Sequence, residues 1–238
     1  MLATAFIPTN GSMNNHASPR AAVASDSLAS RFVNAPIRTI PAREHLFCEG
    51  DLATHVYEVE AGHIVIYRTM SDGRRQVIDF AYPGDVVGLG ALDEHGTNAQ
   101  ANTKTIVRCL PVSALRELAA NNSRVAMRLY EAVSRELIAS RELLFTVSQR
   151  TASERLASFL LALSRRNERR GADPTEIVLP MTRSDIADFL GLTIETVSRT
   201  FSRFRADGVI DLEQCILVTI CDMKRLEAMA GAGECGRH

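Results

Sequence analysis

Glu195, Ser198 and Arg199 lie at i, i+3 and i+4 within the stretch LPMTRSDIADFLGLTIETVSRTFSRFRADGVI, so a helix over this stretch gathers them on one face. On a helix seated in a DNA major groove, an arginine can grip guanine O6 and N7. A glutamate can accept from cytosine N4. Exposed Glu and Arg four residues apart are also common surface pairs of little energetic weight, so the chemistry depends on what surrounds them.

Thr182 stands three residues before Asp185 as a capping box, which predicts a short helix turning Ile186, Phe189 and Leu190 inward. Gly191 ends that helix and Leu192 packs the turn. Thr193 is the N-cap of a second helix reaching about Asp207, where Gly208 can take the left-handed cap. Val197, Phe201 and Phe204, at i, i+4 and i+7, form its buried stripe and leave Glu195, Ser198, Arg199 and Ser202 on the other faces. VIDL and CILVTI then read as a short strand pair, so the expectation is a winged helix-turn-helix.

Upstream, Arg150 to Arg170 reads as helix with Leu156, Phe159, Leu160 and Leu163 on one face, interrupted by Gly171 and Pro174. A longer helix begins near Ser123. There Leu129, Val133, Leu137 and Leu144 recur as a narrow apolar seam that suits pairing in a homodimer, or packing on the helix's own domain. From Ile37 to Pro111, short apolar runs such as VYEVEAG and HIVIYRT alternate with Asp-Gly and Pro-Gly turns and predict an antiparallel β domain. The expected organisation is α+β: a tail over 1–30 too polar to bury a core, a β domain over 31–118, a dimerisation helix over 119–149, the DNA-binding domain over 150–222, and a C-terminal tail with a short helix over 223–238.

At 238 residues, 46% hydrophobic, the chain has room for two modest cores. A formal net charge of -1 means that any basic surface must arise by local segregation. Five cysteines, Cys48, Cys109, Cys215, Cys221 and Cys235, include no CxxC pair, which argues against a disulfide framework or compact zinc site and for a reducing compartment. Without a signal-type start or a spanning apolar run, the reading is cytoplasmic with no membrane partner. His45, His55, His63 and His95 show no diagnostic spacing, so they read as loop or strand-surface residues rather than metal or haem ligands. They also disfavour a cupin-type enzyme, which needs clustered His and carboxylate ligands; the chain reads as no enzyme. Arg165, Arg166, Arg169 and Arg170 suit either a DNA backbone contact or a solvated helix end.

The β domain, long helix and GLTIETVSRTFSRF segment resemble the Crp/Fnr superfamily of bacterial transcription regulators over about Ile37 to Thr219. DGRRQVIDFAYPGD, RTASERLASFLL and LPMTRSDIADFLGLTIETVSR resemble most closely its Fnr and FixK branches, which regulate low-oxygen, nitrogen-fixation and denitrification genes. The resemblance implies a cyclic-nucleotide-binding-type β-roll, double-stranded DNA and RNA polymerase as partners, and Glu195, Ser198 and Arg199 as readers of TTGAT half-sites in an inverted repeat. It implies phosphate contacts at Thr182, Ser184 and Thr196, with Thr193 a further candidate beside them.

Departures from the family pattern carry equal weight. Leu89 stands where the cyclic-nucleotide branch has a glutamate, Ala99 and Gln100 replace its phosphate-binding Arg-Ser pair, and no Arg or Lys lies between Arg75 and Lys104. No cysteine precedes Cys48, and Cys109 is offset by one residue from the central ligand of the iron-sulfur branch. The expectation is therefore no cofactor, and a FixK-like homodimer that acts mainly as an activator without a small-molecule effector. The alternative within the fold is a regulator gated by haem, redox or an iron-sulfur cluster. Cys215 and Cys221, on or beside the wing, are either redox-sensitive or simply packed there.

Overall fold

The computed structural model describes residues 32, 34–90, 93–149, 151–214 and 216–231. The expected N-terminal tail, Cys215 and Cys235 lie outside them. The chain forms two compact units. One runs up to Ile66 and resumes over Phe80–Ile138; the other comprises Tyr67–Asp79 and the chain from Ala139 onward.

Eight strands build a roll: β1 (Ile37–Ile40), β2 (His45–Phe47), β3 (His55–Ala61), β4 (Ile64–Thr69), β5 (Arg75–Ala81), β6 (Val86–Val87), β7 (Asn98–Ala101) and β8 (Thr105–Pro111). They pair into two four-stranded sheets, β1-β8-β3-β6 and β2-β7-β4-β5. Alternation along the strands turns Val59, Ile64, Ala99 and Val107 inward with Leu46, Phe47 and Tyr57, and this shared apolar interior holds the sheets together. Gly62 turns the chain from β3 to β4 at φ 83°. A Cβ there would lie 2.5 Å from the Lys104 carbonyl oxygen, so only glycine fits.

Two of the histidines lie in loops, as one of the two expected placements has it, but pack on aromatic rings rather than standing free on the surface. His95 is 4% exposed and lies flat on Phe47, with ring centroids 3.5 Å apart. His63 meets the Tyr82 ring edge-on. His95 is thus drawn inward by an aromatic face 48 residues away in sequence, while His63 stays half-buried. Among the described residues, no group of three or more His, Cys, Asp or Glu could hold a metal ion.

Helices α1 (Val112–Asn121) and α2 (Ser123–Gln149) follow the roll. Leu115, Leu118 and Val125 pack with Phe32, Val56 and Leu110 in a second apolar cluster. The long helix thus begins at Ser123, with α1 occupying the first residues of the expected span.

Helix α3 (Ala152–Arg169) falls within the span expected to be helical, 150–170. Thr151 caps it in a capping box: Glu154 donates its backbone N–H to the Thr151 hydroxyl and accepts from the Thr151 N–H. Then come β9 (Glu176–Val178), α4 (Arg183–Leu190), α5 (Ile194–Ala206), β10 (Ile210–Glu213), β11 (Leu217–Ile220) and α6 (Met223–Met229). The wing has three strands, ordered β10-β11-β9. The sequence showed two; β9, only three residues long, gains its partner from β11 about forty residues later. Arg166 is 3% exposed, unlike the exposed Arg165, Arg169 and Arg170, so the arginine run is not a uniformly solvated end. No helix among the described residues is long and apolar enough to cross a membrane.

Candidate nucleic-acid interface

The interface rests on the core shared by α3, α4 and α5. Leu156, Phe159, Leu160, Ile186, Phe189, Leu190, Val197, Phe201 and Phe204 are all buried to 2% exposure or less. Each such side chain contributes on the order of 1.5–3 kcal/mol relative to exposure. Phe159 and Phe189 join α3 to α4 with ring centroids 5.5 Å apart. The helices are thereby fixed through their apolar faces, and the opposite face of α5 is left to solvent.

That face carries Glu195, Ser198, Arg199 and Ser202, all exposed. Thr193 caps α5, its hydroxyl accepting from the Thr196 N–H at 3.2 Å and lying 3.0 Å from the Thr196 hydroxyl. Glu195 is in the first turn. Its own backbone N–H and the Thr193 hydroxyl, helped by the charge of Arg199, hold its carboxyl below the usual range, so it stands ready as an acceptor. Thr200 instead turns inward and donates to the Thr196 carbonyl at 2.7 Å.

Thr182 begins α4 as the sequence indicated, its N–H and hydroxyl both donating to Asp185 Oδ2 at 2.9 and 2.8 Å. The hydroxyl also accepts from the Asp185 N–H at 3.1 Å, so it is committed within the cap. Ser184 is half-buried in the next position but one. The four phosphate candidates therefore fall into two groups, Thr182 and Ser184 opening α4 and Thr193 and Thr196 opening α5. The unbonded amides of a helix's first turn favour phosphate at both places.

The sequence reading missed the polar groups that hold this helix pair. Arg155 of α3 donates through Nη1 to the carbonyls of Leu190, at 2.9 Å, and Gly191, at 3.3 Å. Arg225 donates to the Asp207 carbonyl at the end of α5, at 2.7 Å. Within the same compact unit, Arg75 pairs with Asp185 and with Asp188, the latter at 3.2 Å, and the Gln76 amide donates to the Asp188 carbonyl at 2.6 Å. The only local signal was the basic run in DGRRQ; the acceptors lie more than a hundred residues away.

On α2, the four expected seam residues do not share one environment. Leu129 is half-buried against the apolar cluster of Phe32 and Val56, whereas Val133 and Leu137 are 47% and 51% exposed. Met127, Tyr130 and Ile138 are exposed as well. Leu144 is on the helix, but its side chain lies outside the described residues.

A β-roll followed by a winged helix-turn-helix with an open polar face on its second helix defines a DNA-binding regulator. Comparison with known proteins agrees: residues 37–122 match the model of the cyclic nucleotide-binding domain, and residues 154–229 that of the Crp-like helix-turn-helix domain. The chain belongs to the Crp/Fnr family of transcription regulators. It is 36% identical over 190 residues to the nitrogen fixation regulation protein FixK of Bradyrhizobium diazoefficiens, covering 79% of each chain. It is 34% identical over 199 residues to the anaerobic regulatory protein of Haemophilus influenzae, covering 83% of this chain and 77% of that one. Among solved structures, FixK2 from Bradyrhizobium japonicum is similar with a TM-score of 0.77 at 34% identity, covering 82% of this chain and 96% of that one. The family is one of regulators, and the chain is not an enzyme.

Proposed function

We propose that the chain is an effector-independent, FixK-like activator that binds a TTGAT-type inverted repeat as a homodimer. The observation that carries the reading is the exposed triad on the capped helix α5: Arg199 for guanine, Glu195 for the paired cytosine, and the Ser198 methylene near a thymine methyl. Thr182, Ser184, Thr193 and Thr196 act on phosphates, chiefly through the amides of the two helix starts, because Thr182 spends its hydroxyl on Asp185. Val133, Leu137 and Leu144 pair α2 with its copy, Leu129 bracing the helix from the roll side.

Effector independence is supported by the roll interior. Ala99 buries its methyl completely, Gln100 donates to the Arg43 carbonyl at 2.8 Å, and Leu89 packs against the apolar cluster below α1. A cyclic phosphate would meet methyl groups where charge is required. Burial pushes the Cys109 thiol up despite nearby Arg38, which disfavours the thiolate that an iron-sulfur ligand must supply. The relatives' names place their own activity in anaerobic and nitrogen-fixation regulation, and we assign this chain to the same control of low-oxygen, nitrogen-fixation and denitrification genes, in the cytoplasm with RNA polymerase as its partner.

The test is a gel-shift series on a TTGAT inverted repeat with purified protein, with and without cyclic nucleotides, haem or anaerobic iron-sulfur reconstitution. The expected result is the same retardation in every lane. An absolute requirement for any addition would overturn effector independence.

A further inference from the structure

Arg155 is unlike the other groups around the helix pair because of what it holds. Gly191 takes the left-handed conformation at φ 64°, ψ 42° and ends α4, and only Leu192 and Thr193 separate it from the first residue of α5. The direction in which α5 leaves α4 is therefore set by two or three peptide units. The amides of Gly191 and Leu192 both return to the Ala187 carbonyl, Leu192 at 3.0 Å. That leaves the Leu190 and Gly191 carbonyls to be satisfied from outside α4, and a single guanidinium nitrogen of Arg155 reaches both. It also sets a positive charge against the negative end of the α4 dipole.

Arg155 is itself held. It is the fourth residue of α3, directly after the Glu154 that closes the Thr151 capping box, so its backbone is fixed at its root. The neighbouring Ser153 hydroxyl lies 3.5 Å from Arg203 Nη1 of α5, at the long limit of a hydrogen bond. The first turn of α3 thus touches the turn of the helix pair and the reading helix itself. The apolar core described above secures the fold without Arg155, so the guanidinium governs orientation rather than folding.

We infer that Arg155 is a specificity-determining positioning residue: by clamping the Leu190 and Gly191 carbonyls it fixes the angle at which α5 presents Glu195, Ser198 and Arg199. The inference rests on the reading of this face as the base-contacting surface. Base readout demands hydrogen-bond alignment, whereas phosphate attraction tolerates a tilted helix. Loss of the clamp must then weaken specific binding far more than non-specific binding.

The experiment is fluorescence anisotropy with a labelled TTGAT inverted repeat and a scrambled duplex, at several salt concentrations, for the full chain and its Arg155→Ala and Arg155→Lys variants, with thermal melting in parallel. Arg155→Ala is expected to lose roughly tenfold on the repeat and less than about twofold on the scrambled duplex. Its dependence of log affinity on log salt should match the parent's, because no phosphate contact is removed. Arg155→Lys, which keeps the charge but places its donor nitrogen on a shorter reach, should recover part of the discrimination. Equal losses on the two duplexes, a shallower salt dependence, unchanged discrimination, or a lowered melting temperature with parallel loss on both would each overturn the inference. A parent protein unable to tell the repeat from the scrambled duplex would instead overturn the base-reading assignment beneath it.

Discussion

At the scale of single residues, Arg199 and Glu195 are set up differently for the base readout we propose. Glu195 is held ionised from within its own turn, while Arg199 stands one turn on, exposed and able to reach outward. Arg199→Ala should therefore cost roughly 1 to 3 kcal/mol on the inverted repeat and level the preference at the guanine position, which binding to single-base variants of the site measures. Uniform weakening on every variant would mean that Arg199 contacts phosphate. His95 supports a second prediction, inside the roll. Burial drives its pKa below the usual value, with Asp51 opposing only in part. Because the unfolded chain then binds a proton more readily than the folded one, stability is full above the ordinary imidazole pKa of about 6.5 and falls as the pH drops below it. Protection of the β3 and β8 amides from hydrogen exchange, taken relative to their intrinsic rates at each pH, should fall over that interval, and less so in His95→Phe, which keeps the stack on Phe47; identical pH profiles of protection would count against the assignment. The Thr182–Asp185 box and the αL glycine were readable in the sequence because each depends on neighbours within a few positions. The inward turn of His95 and the reach of Arg155 were not, since an aromatic face 48 residues away and two backbone carbonyls 35 and 36 residues away leave no local mark.

At the scale of elements, the same division between near and distant partners decides what could be read. The two helices of the reading head were legible because cap, stripe and terminating glycine all agreed. The boundary between α2 and α3 was legible to within two residues, because the polar run over 148–151 interrupts the apolar spacing there, but the Thr151–Glu154 box that caps α3 was not picked out. Strand β9 was hidden because three residues of Glu-Ile-Val carry too little pattern, and only pairing with β11 makes them a strand. On α2 the apolar residues divide between two faces. Val125 and Ala132 are buried, whereas Val133 and Leu137 are not. Burying such exposed side chains against a second copy would favour association by about 25 cal/mol per Å² of apolar surface, before the cost of ordering. Leu137→Glu should accordingly shift the protein to monomer in analytical ultracentrifugation while leaving the melting of the roll nearly unchanged, because no buried contact is removed. A dimer that survives both Leu137→Glu and Val133→Asp would exclude this face of the helix.

At the scale of the whole molecule, the net charge of -1 leaves non-specific attraction to whatever basic surface is segregated locally, and a second copy of the reading head would add affinity to that of the first. The strand orders β1-β8-β3-β6 and β2-β7-β4-β5 were not readable from the chain, because pairing of segments as far apart as β1 and β8 depends on the finished core rather than on local preference. The sequence of domains was readable, as each carries its own periodicity. Two-fold symmetry then makes a quantitative demand on the DNA. Two identical reading helices reach successive major grooves on one side of the duplex only when the half-site centres are about 10 to 10.5 base pairs, or a multiple, apart. Inserting five base pairs between the TTGAT half-sites places the second on the opposite side of the helix, and binding should drop to that of an isolated half-site. Each half-site then contributes without the effective concentration that the first would have provided. A full-turn insertion restores the facing but stretches the span, and should recover little unless the linkage between the heads yields. Titrating the three duplexes at one salt concentration separates these cases. Affinity indifferent to the five-base-pair insertion would show that the two heads bind independently, and would remove the homodimer from the mechanism while leaving Glu195, Ser198 and Arg199 as readers of a single half-site.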